Sequence, residues 1–134
     1  MITLSDQRAI TEGEVVALYQ ANAWSAAQQP SALYHALLNS HSLITAREES
    51  RLIGLGNAIS DGYLVVYYPH LLIHPDYQGQ GIGRMIMDKM QERYQSFHMQ
   101  MLTADADSVT FYQKLGFARA GQTQPMWKYQ RQEH

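Results

Sequence analysis

A chain of 134 residues, 46% hydrophobic and 16% charged with a formal net charge of −2, has the length and composition of one folded domain, and one domain over residues 1–134 is expected. Cysteine is absent, which excludes a disulfide framework, a zinc ribbon and a cysteine acyl-enzyme. With a slightly acidic balance and no local cluster of Lys and Arg, the chain carries no electrostatic footprint for nucleic acid, and no such partner is expected.

In chain order, Met1 to Leu4 suggests a short strand. Thr11-Glu12-Gly13-Glu14 has the spacing of a capping box, and Val15, Val16, Leu18 and Tyr19 form one apolar face of a helix ending near Asn22. Pro30-Ser31 opens a second helix through Leu37 and Leu38. The period then changes: Ser42 to Arg47 and Leu52 to Ile59 are strand-like, joined by the turn Glu48-Glu49-Ser50. Asp61-Gly62 suits a tight hairpin into a long strand, Tyr63 to His74. Ile82, Met85, Ile86 and Met90 give the next helix an apolar stripe, and Phe97 to Thr103 reads as a further strand. A helix carrying Phe111-Tyr112 follows, with Gly116 as its C-cap, then strands at about Phe117 to Arg119 and Pro125 to Tyr129. The pattern is that of an α/β domain with a mixed sheet. The N-terminus has no signal-peptide composition and the longest apolar stretch is broken by Pro69 and His70, so neither a membrane span nor export is expected, and the location expected is cytoplasmic.

The most informative segment is Ile73-His74-Pro75-Asp76-Tyr77-Gln78-Gly79-Gln80-Gly81-Ile82-Gly83-Arg84, a strand that runs through three alternating glycines into a helix. Helix-start N–H groups lack intrahelical partners and sit at the positive end of the dipole, so this is an anion cradle, and glycines let a ligand approach the backbone. A Walker loop needs Gly-Lys-Ser/Thr, whereas Gly83 is followed by Arg84-Met85; a dinucleotide fingerprint starting at Gly79 needs glycine where Arg84 stands. Gln78, Gly81 and Gly83 do satisfy Gln/Arg-x-x-Gly-x-Gly/Ala, which resembles the pyrophosphate loop of the GNAT superfamily of acetyl-CoA-dependent N-acetyltransferases. Ala104 to Phe117, with Phe-Tyr on a helix ending in Leu-Gly-Phe, resembles that superfamily's other recurrent segment. The likeness runs from about Arg51 to Tyr129.

The resemblance implies a single-domain mixed sheet of about six or seven strands flanked by about four helices, with acetyl-CoA as cosubstrate. It also implies that the long strand splays at Pro69, with the N–H of Leu71 toward the acetyl oxygen and Leu71, Leu72 and Ile73 along the pantetheine arm. Gln78, Gly79, Gln80, Gly81, Ile82, Gly83 and Arg84 are the implied pyrophosphate contacts, joined by Asp105, Ser108 and Lys114. Asp105 stands where the family often has asparagine, and a carboxylate accepts but cannot donate.

Acetylating an amine requires a neutral nucleophile, and an alkylammonium of pKa ~10.4 is neutral in only about one molecule in 2,500 at pH 7, a cost of roughly 4.6 kcal/mol. His70 is the candidate base, where several superfamily members carry an aspartate, since its ordinary pKa of about 6.5 leaves it largely neutral at pH 7; a histidine at a turn beside Pro69 explains it equally. Tyr112 is the candidate acid for the departing thiolate, by resemblance, with a core tyrosine as the bland alternative. Tyr19, Trp24, Tyr68 and Trp127 suggest an aromatic wall for a small primary amine. A protein amine, a non-catalytic acyl-CoA sensor and an ATP-binding loop are the alternatives. Met126 and Trp127 offer apolar surface for a homodimer. Among the six histidines no metal-ligand spacing occurs: His70 and His74 in one strand would be about 13 Å apart, and no metal is expected.

Overall fold

The computed structural model describes residues 1–130. Strand β1 (Ile2–Ser5) leads to α1 (Glu12–Ala21), α2 (Pro30–Leu38), β2 (Ser42–Glu48) and β3 (Arg51–Ser60), then β4 (Val65–Tyr67), β5 (Leu71–Ile73), α3 (Ile82–Tyr94), β6 (Met99–Met101) and α4 (Val109–Lys114). The capping box forms with both arms: the Glu14 N–H donates to Thr11 Oγ1 at 3.3 Å and the Thr11 N–H to Glu14 Oε2 at 2.8 Å. The same carboxylate accepts two bonds from Arg47, each 2.8 Å, which ties the start of α1 to β2.

The six strands form one mixed sheet in the order β1-β2-β3-β4-β6, antiparallel except for the parallel pair β4 and β6, with β5 also on β3. Between β2 and β3 the register steps from Ala46↔Gly54 to Arg47↔Leu52, so Ile53 is an extra, bulged residue. β3 is buried over most of its length because the sheet is covered on both faces. On one face Ile44, Ile53 and Val66 pack with Ile82, Ile86, Met87, Met90 and Tyr94 of α3; on the other Leu43, Leu52, Leu55 and Leu72 pack with α1 and α2. Gly56 permits the close approach of α3, since a Cβ there would come within 3.0 Å of Ile86 Cγ2, and Gly54 gives room to the β5 side chain of Ile73, whose Cδ1 would lie 2.7 Å from a Cβ.

The expected single strand over Tyr63 to His74 is instead two. β4 pairs with Ile59 and Ser60, β5 with Gly54 to Gly56, so they lie end to end along the edge of β3 opposite β2, parted at Tyr68-Pro69-His70. Proline has no N–H for a ladder and marks the break. The strand expected over Phe97 to Thr103 is confined to Met99–Met101. The strands expected at Phe117 to Arg119 and Pro125 to Tyr129 do not form; the polar run between them, with Gly121 and Pro125, carries no ladder, and Met126 is 94% exposed. Met85, assigned to the buried stripe of α3, faces solvent, and Met87 and Tyr94 complete the stripe in its place.

Candidate active site

The glycine loop is exposed and built by backbone conformation. Gly79 and Gly81 hold φ of 80° and 82°, the left-handed region, although a Cβ at either would meet nothing within 4 Å; the positions need glycine for the dihedral, not for room. Gly81 is the N-cap of α3, and the first intrahelical bond runs from Met85 N–H to Gly81 O at 3.1 Å. The amides of Ile82, Gly83 and Arg84 therefore point off the helix end without an intrahelical partner. Gln78 folds back, its Nε2 donating to Ile73 O at 3.0 Å and to Asn22 Oδ1 at 3.3 Å, which fastens the loop to β5 and to the end of α1. Gly83 sits where three segments meet: a Cβ there would lie 3.4 Å from the ring of Phe111 on α4 and 3.9 Å from Ile73 on β5.

Ladder parity decides which β5 groups are available. The Asn57 N–H donates to His70 O at 3.1 Å and the His74 N–H to Ile53 O at 2.7 Å, so positions 70, 72 and 74 bond to β3. By antiparallel alternation Leu71 and Ile73 turn their N–H and C=O groups away from β3, along the open edge. Leu72 is placed differently: its backbone faces β3 and its side chain is buried under α1 and α2.

Tyr112 lies on α4, which ends in a Schellman motif: the Phe117 N–H donates to Tyr112 O and the Gly116 N–H to Gln113 O, both at 3.1 Å, with Gly116 at φ 96°. The ring is half-buried between Phe111 and Phe117. Burial first, and the Asp105 carboxylate second, push its phenol above the ordinary value, so it stays protonated at neutral pH. Asp105 and Lys114 are exposed and Ser108 is half-buried, its N–H donating to Asp105 O at 2.8 Å.

His70 stands in the gap between β4 and β5. Its N–H donates to Asn57 Oδ1 at 3.0 Å, and its Nδ1 lies 2.8 Å from the Tyr19 hydroxyl. The rings of Tyr19 and Trp24 meet the imidazole edge-on, with centroids at 5.3 and 5.2 Å. Two members of the expected aromatic wall are buried. Tyr19 is wholly buried and stands behind His70. Tyr68 is 5% exposed, packs against Tyr94 and Phe117, and donates its O–H to Gln100 Oε1 at 2.7 Å. Trp24 is half-buried and Trp127 exposed, the latter against Tyr129, whose hydroxyl is 3.0 Å from Ser25 Oγ and brings the tail to the turn that follows Trp24.

Sequence reading missed Asn57 and Ser40. Asn57 Nδ2 donates to Ser40 Oγ at 3.0 Å, and Ser40 Oγ to Ala36 O at 2.8 Å, so a buried polar chain runs from the end of α2 to the backbone of His70. An asparagine inside an otherwise apolar strand was the available signal, because a buried amide needs partners.

A family model described as an acetyltransferase (GNAT) domain matches residues 4–126. The chain belongs to that family, and its α/β fold is the family's. Among solved structures, a GNAT-family acetyltransferase from Streptococcus pneumoniae TIGR4 is 28% identical, with a TM-score of 0.80 over 98% of this chain and all of the other. An uncharacterized N-acetyltransferase ycf52 from Gracilaria tenuistipitata var. liui is 43% identical over 68 residues, 49% of this chain and 37% of that protein. Its counterpart from Pyropia yezoensis is 32% identical over 90 residues, 63% of this chain and 52% of that protein. The matched region thus spans about half or less of these curated relatives. Among the described residues no helix is long and apolar enough to cross a membrane.

Proposed function

We propose that the chain is an N-acetyltransferase that moves the acetyl group of acetyl-CoA directly to a primary amine, that of a small molecule. The observation that carries this reading is the convergence at Gly83 of the open edge of β5, the amide-lined start of α3 and the helix of Tyr112. The amides from Gln78 to Arg84 would hold the pyrophosphate, Leu71 and Ile73 the pantetheine arm, and Asp105, Ser108 and Lys114 the remainder of the coenzyme. The neutral amine nitrogen attacks the acetyl carbonyl carbon, negative charge gathers on the oxygen opposite the Leu71 N–H, the nitrogen gives its surplus proton to solvent as the C–S bond breaks, and the leaving thiolate takes the Tyr112 proton, which solvent restores. His70 meets the acceptor beside Trp24, with Trp127 at the margin. An imidazole and an indole at half-buried positions favour a compact amine over a protein tail.

The test is isothermal titration of acetyl-CoA, CoA and ATP, followed by thiol release across a panel of amines. Acetyl-CoA binding with thiol release is the expected result; tight ATP binding without CoA binding would end this reading. Met126 and Trp127 are proposed as the contact of a homodimer, and light scattering showing a monomer at micromolar protein would remove it.

A further inference from the structure

The Tyr19 hydroxyl is buried, and among the described residues its hydrogen-bond partner is His70 Nδ1 at 2.8 Å. A bond between a phenol and an imidazole nitrogen has two forms. In one the phenol donates and Nδ1 accepts, so neutral His70 carries its proton on Nε2. In the other Nδ1–H donates and the phenol oxygen accepts, which leaves the phenol proton inside the core without an acceptor. A buried polar hydrogen without a partner is costly, so the first form is favoured.

The ring cannot readily exchange its nitrogens. Its faces and edges are confined by Tyr19 and Trp24, at interplanar angles of 64° and 75°. Asn57 holds the residue's backbone on both sides, accepting from its N–H and donating to its C=O. Burial also holds the Tyr19 phenol well above its ordinary value, so the hydroxyl remains a donor at any working pH. Of these three neighbours Tyr19 is titratable, and Trp24 and Asn57 carry no charge.

We infer that Tyr19 is a positioning residue that fixes the tautomer of His70, so that His70 meets the reacting groups as an Nε2–H hydrogen-bond donor and not as the base that takes the ammonium proton. The inference rests on the acetyltransferase reading for the reaction His70 serves, but the tautomer itself does not. The ammonium proton then leaves to solvent before attack, and His70 orients the neutral amine or the acetyl oxygen through Nε2–H.

Nitrogen-15 NMR of the histidine-labelled full chain tests this, with the His70 signals identified by their loss in His70→Gln. The expected pattern is a protonated Nε2 with an accepting Nδ1, and in Tyr19→Phe a rise in the His70 titration midpoint, because a bond that favours the neutral ring is lost. An Nδ1–H tautomer in the unsubstituted protein, or an unmoved midpoint in Tyr19→Phe, would overturn it. Turnover provides the second arm: Gln keeps a side-chain N–H donor but cannot act as a base. His70→Gln should lose less than about tenfold in kcat, and His70→Ala more; a loss in His70→Gln of about a hundredfold or greater, the scale of a missing general base, would also overturn the inference. Absence of acetyl-CoA binding by the unsubstituted protein would sink the reading of function, while the NMR would still decide the tautomer.

Discussion

The proposed coenzyme side and the proposed acceptor side of this protein are built in different ways. From Leu71 to Lys114 the candidate contacts come from short contiguous stretches, held by glycine dihedrals, helix ends and a Schellman cap. The acceptor side is assembled from single residues far apart in the chain: Tyr19 and His70 are 51 positions apart, Asn57 and Ser40 17. The first design makes a site out of main-chain amides, tolerant of side-chain change between its glycines. The second depends on a few side-chain hydrogen bonds between residues far apart in the sequence.

Several substitutions sharpen that contrast. Tyr112→Phe should have the largest effect, lowering kcat by about a hundredfold with an identified amine while leaving acetyl-CoA affinity nearly unchanged by calorimetry; an unaltered rate would remove the acid role. Gly81→Val forces a β-branched residue to φ 82° at the start of α3 and should weaken acetyl-CoA binding by about tenfold, with the acceptor side intact.

Glu14→Gln should cost about 1 kcal/mol in urea unfolding at pH 7. Hydrogen bonds from Arg47 hold the Glu14 carboxyl below its ordinary range. Its contribution is therefore complete above the unfolded carboxylate pKa and is lost as pH falls through the folded value, so the two proteins should converge in acid. The smallest effect is expected for Trp127→Ala at protein concentrations low enough to keep the chain monomeric, within about 0.5 kcal/mol of the unsubstituted chain, since the indole is 72% exposed. A much larger loss would mean that the tail is covered in solution.

The same contrast explains what could be read from the residues alone. The glycine loop, the Schellman end at Gly116 and the capping box at Thr11 were legible because each is a local backbone requirement written in consecutive residues. The break at Pro69 had a visible cause, but its consequence, two strands sharing one edge of β3, depends on where Gly54 to Ser60 lie. The burial of Tyr19 and Tyr68 was not legible because aromatic residues suit a core and a binding wall equally well, and only packing separates the two. The C-terminal strands failed for a related reason: a few apolar residues near Phe117 and Trp127 permit a strand, but strand pairing needs an edge to join.

Gly54 and Gly56 have a consequence for how the coenzyme is met. With no Cβ at either position of β3, Ile86 and Ile73 settle directly against the strand, and the helix whose first amides would form the proposed cradle is seated on the most buried part of the sheet. A receptor mounted so firmly has little left to freeze when its ligand arrives. Association should accordingly be a single exponential whose rate rises linearly with acetyl-CoA concentration, without the plateau that a slow rearrangement of the loop would impose.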